Sequence, residues 1–401
     1  MNFGTGLDRR THEDASIPRH SSTRGHALIV SWASGGNLPP LLAAGRLLVA
    51  REHAVSVLAS AATREAAVRA GFEVIGYRRA PAPNTELAFE QHAAELMATA
   101  AGTELALDVR DVVAEVQPDL MIVDCMLPAG IAVSEAMGTP TASLVHFPYG
   151  PVRAQMLRGA GAWTTDRTQL NITRCGLGLE PAADGLAAWE SPELLLVTVP
   201  RWFDLAADYP AKVIHAGPLG ITRPIRVGTT RRRPLVLLSF STTVMEGQTA
   251  LVQRVCDAVA GDELDAILTL GPAVSAAEIR VPNNVEVVQY ADHDQLLPTC
   301  RAVVTHGGLG TTLRALGHGK PLLLLPLGRD QEFNAGRVVE LGAGIHAPAE
   351  AAAAAIAAAL AELLAQRQFT KAAERAAAAI AADAPDETAT EALLSLAQLA
   401  T

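Results

Sequence analysis

Short apolar runs alternate with helical patterns along most of the chain. Ala27–Trp32 is one such run, the pattern of a strand buried on both faces. It meets Gly35, Gly36 and Asn37, after which Pro39 and Pro40 suit the first turn of a helix running from Leu41 to about Arg51. Further strands are predicted at Ala54–Leu58, Phe72–Tyr77, Leu120–Asp124 and Thr141–His146, with helical patterns between them. A second series opens at Pro234–Ser239 and continues through Asp265–Leu270, Val285–Tyr290, Arg301–Thr305 and Pro321–Leu325. Strand–helix alternation means parallel sheets covered by helices on both faces. The expected fold is α/β, with two Rossmann-like domains facing each other across a cleft and helices at the C-terminus.

Punctuation along the chain sets the expected boundaries. Residues 1–25 are polar and read as a flexible lead-in, without the apolar core of a signal peptide. Residues 26–217 form the first domain, and 218–233, crowded with Gly, Pro and Arg, form a linker. Residues 234–385 form the second domain and 386–401 a closing helix. The tail from Ala349 is alanine-rich and helical by propensity, with no sustained heptad of large apolar residues.

Composition then removes several classes of function. At 401 residues, 49% hydrophobic and 18% charged, the chain can bury two cores and is not disordered. A net charge of −10 argues against a nucleic-acid partner, since phosphate backbones need a basic face. The dense basic run Arg231–Arg233 falls in the linker, where a solvated connector explains it. No apolar run is long enough for a membrane span. Cys125, Cys175, Cys256 and Cys300 are widely spaced, which fits neither a metal cluster nor a disulfide framework; the expected compartment is the reducing cytoplasm.

The chemistry concentrates in the second domain. A buried strand ends at His306, Gly307, Gly308 and Gly310 make a tight turn, and a helix is expected to start near Thr311. Unpaired N–H groups and the positive end of a helix dipole converge there, forming an anion site to which His306 adds a donor. The plainer reading is a glycine turn beside a structural histidine. Downstream, Asp330 and Gln331 end a strand, with oxygens suited to the adjacent hydroxyls of a sugar ring. Upstream, Tyr290 ends another and offers an aromatic face to a base. Phosphate, sugar and base sites in one half of the chain make a nucleotide-sugar pocket.

From about Val285 to Gly344 the chain resembles the donor site of the family-one inverting glycosyltransferases, above all the bacterial members that decorate antibiotics and other natural products. His306-Gly-Gly-x-Gly-Thr-Thr, Gly319-x-Pro321 and Asp330-Gln331-x-x-Asn334-Ala match at the family's spacing, and Pro118–Asp124 and Gly217-Pro218 extend the likeness. The resemblance implies the GT-B fold, no metal requirement, inversion at the anomeric carbon, and binding of the donor's β-phosphate by Ser241 and Thr242. It implies no cofactor beyond a nucleoside-diphosphate sugar as co-substrate. The expected partners are that donor and a small apolar acceptor; a homodimer is left open.

Three positions depart from the family's pattern. Its members carry a catalytic histidine within Gly-His-x-x-Pro, and alignment on Pro40 places Asn37 there. A carboxamide cannot take a proton near neutral pH, so Asn37 can orient an acceptor but not deprotonate it. Asp124 matches the aspartate that supports that histidine and would serve as the base if burial raised its pKa. His146, at the end of another strand, is the further candidate, against the plainer reading of a hydrogen-bonded structural histidine. A phenol, a thiol or an electron-rich aromatic carbon would need less help. Arg314 stands where the family has a ribose-binding glutamate; it lacks an acceptor lone pair, which leans the donor towards thymidine diphosphate unless the side chain points to solvent. Tyr290 replaces a tryptophan and keeps the stacking face.

Two further features have rival readings. Asp292-His293-Asp294 is formally a metal-binding DxD, yet it opens a short helix, where capping is the simpler role. Trp32 and Phe147 would line an acceptor pocket, or simply pack in the core. Two alternatives to sugar transfer stay open. One is a nucleotide-sugar 2-epimerase on the same fold; the other is a non-catalytic nucleotide-sugar-binding or auxiliary protein.

Overall fold

The computed structural model describes residues 24–399 apart from Ser34, 83–88, 159–166, 206–208, 222–231 and Pro272. The expected lead-in thus lies, but for its last two residues, outside the described residues, as does most of the 218–233 linker.

Two parallel sheets account for the apolar runs. In the first, strands β1 (His26–Val30), β2 (Ala54–Ala59), β3 (Glu73–Gly76), β4 (Leu120–Asp124), β5 (Thr141–Val145), β6 (Leu194–Val197) and β7 (Val213–His215) lie in the order β3-β2-β1-β4-β5-β6-β7. In the second, β8 (Leu235–Ser239), β9 (Asp265–Thr269), β10 (Val285–Val288), β11 (Ala302–Thr305), β12 (Leu322–Leu324) and β13 (Gly344–His346) lie in the order β10-β9-β8-β11-β12-β13. Central strands such as β4 and β8 are buried at every residue, because helices cover both faces and leave no polar side to the pleat.

This strand order positions the sites. In each sheet the chain first builds outward on one side of the opening strand, then crosses to the other. The crevice at such a reversal, beyond the carboxyl ends of the strands, has no helix packed over it. In the first sheet it opens between β1 and β4, in the second between β8 and β11.

The last helix, Pro385–Leu396, does not stay with the second sheet. Ala389, Leu393 and Leu394 enter the core formed by the first sheet and the helix Leu38–Val49. Asp386 accepts from the Gly220 N–H at 2.9 Å, and Glu387 pairs with Arg51 at 2.9 Å. Nearer the cleft, Arg337 in the helix Gln331–Glu340 donates to the carbonyl oxygens of Trp202 and Phe203 at 2.8 and 3.1 Å. Together these contacts fix one sheet against the other.

Candidate active site

The amino-terminal wall is built at the β1/β4 crevice. Asn37 occupies the N-cap position of the helix Leu38–Val49 but does not cap it. Its amide instead donates to Asp124 Oδ2 at 2.6 Å and to the Ala33 carbonyl at 2.9 Å. Asp124, the last residue of β4, also accepts from the Met126 N–H at 3.0 Å. His146, one residue beyond β5, brings its Nε2 to 3.3 Å from Asp124 Oδ1. That is close enough for charge pairing, though the ring nitrogen is not aligned on the oxygen as a hydrogen bond.

Burial opposes ionisation of Asp124. The His146 imidazole, the Met126 N–H and the Asn37 amide outweigh it and hold the carboxyl below its usual range. The expectation that burial would make Asp124 a base is therefore corrected. A carboxylate of depressed pKa is a poor proton acceptor and a good anchor for an imidazole. Tyr77, which the sequence did not single out as a site residue, has a buried hydroxyl with no hydrogen-bond partner among the described residues. Burial pushes its phenol up, and the charges of Asp108 and Asp124 push it further.

The facing wall is built at the β8/β11 crevice. Gly307 has φ +86°, and a Cβ there would stand 3.2 Å from the Gln331 carbonyl oxygen, so both conformation and space require glycine. A Cβ at Gly308 would meet His306 Nε2 at 2.6 Å; the imidazole lies against the turn. The helix begins at Leu309, two residues before the expected Thr311, because Gly308 serves as its N-cap. The first N–H groups of that helix, in the stretch that holds Gly310 and Thr311, are left for a ligand. Burial lowers the His306 pKa to about 4. The Ser239 backbone opposes that shift, and the charge of Arg329 adds to it. The ring is thus neutral at pH 7 and can donate from one nitrogen only.

The other donor-site residues divide. Tyr290 is 82% exposed, with its face open. Thr242 is exposed, whereas the Ser241 hydroxyl accepts from the Thr243 N–H at 3.0 Å. Asp330 is held by the Asn334 amide at 2.9 Å, and that amide also donates to the Gly307 carbonyl at 3.0 Å, tying the Asp330 loop to the glycine turn. Burial raises the Asp330 pKa, against the Asn334 hydrogen bond and the charges of His146 and Arg329.

Four residues sit otherwise than expected, while Asp292 takes the capping role that was its simpler reading. Gln331 is buried and its carboxamide oxygen accepts from the Leu327 N–H at 2.7 Å, so that oxygen stiffens the loop and is not free for a sugar hydroxyl. Arg314 neither faces solvent nor lies free; it is ion-paired with Asp294, which also takes His318 Nε2 at 2.7 Å. Asp292 caps its short helix by accepting from the Asp294 N–H at 2.9 Å, so both carboxylates of the DxD are engaged. Trp32 and Phe147 do not line a pocket. Trp32 is 2% exposed with its indole N–H on the Pro81 carbonyl, and Phe147 packs in the core against Trp189.

The two walls face each other. A Cβ at Gly35, in the loop before Asn37, would stand 3.9 Å from the Thr243 hydroxyl of the second sheet's loop. The Asp330 carboxyl lies close enough across the cleft to feel the His146 imidazole. Arg329, also missed by sequence reading, adds a cation beside His306, on a loop residue with φ +60°. Among the described residues, one group brings ligand atoms of His, Cys and carboxylate together closely enough for a metal ion: Asp124, Cys125 and His146, all within 4.8 Å of one another.

Residues 253–396 match the family described as the erythromycin biosynthesis protein CIII-like, C-terminal domain. The chain is 29% identical over 285 residues to aklavinone 7-beta-L-rhodosaminyltransferase of Streptomyces galilaeus, covering 65% of this chain and 63% of that protein. It is 31% identical over 233 residues to elloramycin glycosyltransferase ElmGT of Streptomyces olivaceus, covering 57% of each. Among solved structures, the kitacinnamycin glycosyltransferase superposes with a TM-score of 0.74 at 22% identity, over 93% of this chain and 99% of that one. Over these stretches the chain is similar to natural-product glycosyltransferases, and it shares the GT-B fold of the solved ones. It spans about three-fifths of the curated relatives' own length. In glycosyltransferase VinC, solved in complex with DTDP, the same fold superposes with a TM-score of 0.71 at 22% identity, over 93% of this chain and 99% of that one.

Proposed function

We propose that this chain is an inverting glycosyltransferase that moves a sugar from a nucleoside-diphosphate donor onto a small apolar acceptor. One observation carries the reading. Among the described residues, one imidazole, that of His146, stands beside Asp124, and it faces Asp330 across the cleft from the glycine turn. The general base is thus supplied from the end of β5, while Asn37 fills the place after β1.

The reaction follows from the two walls. A ring nitrogen of His146 takes the proton from the acceptor hydroxyl as its oxygen attacks the anomeric carbon. Asp124 fixes the ring and stabilises the imidazolium that forms. The bond from the anomeric carbon to the diphosphate breaks on the opposite face, so configuration inverts. The charge appearing on the leaving diphosphate is met by the N–H groups at the start of the helix Leu309–Gly317 and by the neutral His306. Asp330 accepts hydroxyls of the sugar, and Tyr290 stacks on the base.

The donor is read as a thymidine-diphosphate sugar, and the sugar as a deoxysugar. Arg314, spent on Asp294, offers no acceptor to a 2′-hydroxyl. The structures of VinC with DTDP and of SpnG with thymidine diphosphate support that choice, as does the rhodosaminyl transfer named for the Streptomyces galilaeus relative. The test is to incubate the protein with thymidine- and uridine-diphosphate hexoses and a panel of polycyclic and macrocyclic aglycones. Mass spectrometry should find a glycoside and equivalent free nucleoside diphosphate, with the anomer inverted by NMR. A donor that binds and stays intact, or one that is epimerised without an acceptor, would contradict the reading.

A further inference from the structure

We propose that Asp124, Cys125 and His146 form a binding site for a thiophilic divalent cation such as Zn²⁺, and that the ion, once bound, blocks transfer by occupying the imidazole. The site lies at the carboxyl ends of β4 and β5, where a carboxylate oxygen, a thiol sulfur and a ring nitrogen all fall within 4.8 Å of one another. Thiolate, imidazole and carboxylate is a ligand set that zinc accepts in tetrahedral sites.

The geometry of the first pair is already that of a ligated ion. Ligands about 2.0–2.1 Å from a tetrahedral zinc stand roughly 3.3 Å from each other. Asp124 Oδ1 and His146 Nε2 are 3.3 Å apart. The nitrogen is buried and not aligned on that oxygen as a hydrogen bond, nor on any other group among the described residues. Asp124 Oδ1 receives one N–H, from Met126, which leaves it a lone pair. Asn37 holds the other oxygen and keeps the carboxylate in place.

Cys125 supplies the soft ligand. Its side chain is 1% exposed, and burial together with the Asp124 charge keeps the thiol protonated in the ion's absence. Binding therefore replaces a proton: the S–H bond breaks, the sulfur bonds the metal, and one H⁺ leaves per ion. The site is distinct from the Asp292/Asp294 pair, whose oxygens are engaged by a helix N-terminus, Arg314 and His318.

The test uses the whole chain with Zn²⁺ and, as a spectroscopic probe, Cd²⁺. The wild-type protein should bind one ion per chain with release of a proton, and Cd²⁺ should give the ultraviolet thiolate-to-metal charge-transfer band. Cys125→Ser and Cys125→Ala should lose that band and bind Zn²⁺ at least about tenfold more weakly, since a thiolate ligand is gone. Their transfer activity should stay near that of the wild type but resist zinc. A wild-type protein that gives no charge-transfer band, or a Cys125→Ser variant that binds Zn²⁺ as tightly, overturns the inference. Occupancy is read without any turnover. A protein that binds zinc at Cys125 yet transfers no sugar would keep this site and contradict the proposed reaction instead.

Discussion

His146 and Asp124 meet at 3.3 Å from the ends of neighbouring strands, on one face of the first sheet. The register explains the meeting. Asp124 pairs with Leu144, and His146, two residues on, returns to the same face of the pleat. In the proposed reaction the base comes from β5, which leaves the loop after β1 free to hold a residue that cannot ionise. Asn37 takes that place and donates to the carboxylate that the imidazole needs.

The Asn37 contact is a hydrogen bond from a buried amide to a charged group. Asn37→Ala should lower unfolding stability by about 1.5–3 kcal/mol and allow the Asp124 pKa to rise. Urea denaturation measures the first effect. An unchanged midpoint would mean that water replaces the amide at no cost.

His306 couples stability to pH. Its pKa falls from 6.5 to about 4 on burial, so the unfolded chain binds the proton more tightly than the folded one. Its contribution is complete above pH 6.5 and is lost as pH falls towards 4, on the order of 3 kcal/mol across that window. His306→Gln should flatten the profile there relative to the wild type. Parallel profiles for the two proteins would show that the ring is protonated alike in both states.

Nucleotide preference follows from Arg314. Its guanidinium is held by Asp294, whose oxygens serve Arg314 and His318. Thymidine diphosphate should therefore bind at least as tightly as uridine diphosphate in calorimetry. A strong preference for the uridine form would mean that another group reads the 2′-hydroxyl.

Much of the fold was legible because its signals are local. The turn at Gly307 and Gly308, the buried runs at β4 and β8 and the strand–helix alternation need only short windows of sequence. The strands β6, β7 and β13 were not among those predicted from the sequence. The site was legible in its parts and not in its pairings. Asp294 and Arg314 are 20 residues apart, and no pattern of residue types announces that they pair. Gln331 was misread because a side-chain bond to the backbone four residues earlier leaves no mark on composition. Trp32 and Phe147 lie near strand ends, where the same residue can face a pocket or a core. Asp124 was read as a base on the condition that burial raised its pKa; of the groups that hold it down, Met126 is two residues away but Asn37 is 87.

The decisive measurement is the turnover of His146→Ala on a weakly acidic alcohol acceptor, with affinity for the nucleoside diphosphate measured in parallel. An alcohol is required, because a phenol or thiol ionises readily enough to hide the loss of a base. Removal of the general base should lower kcat by about 10²–10⁴, the usual worth of such a group, and leave nucleotide affinity unchanged. A His146→Ala enzyme that glycosylates the alcohol at the wild-type rate would contradict the assignment of His146 as the base.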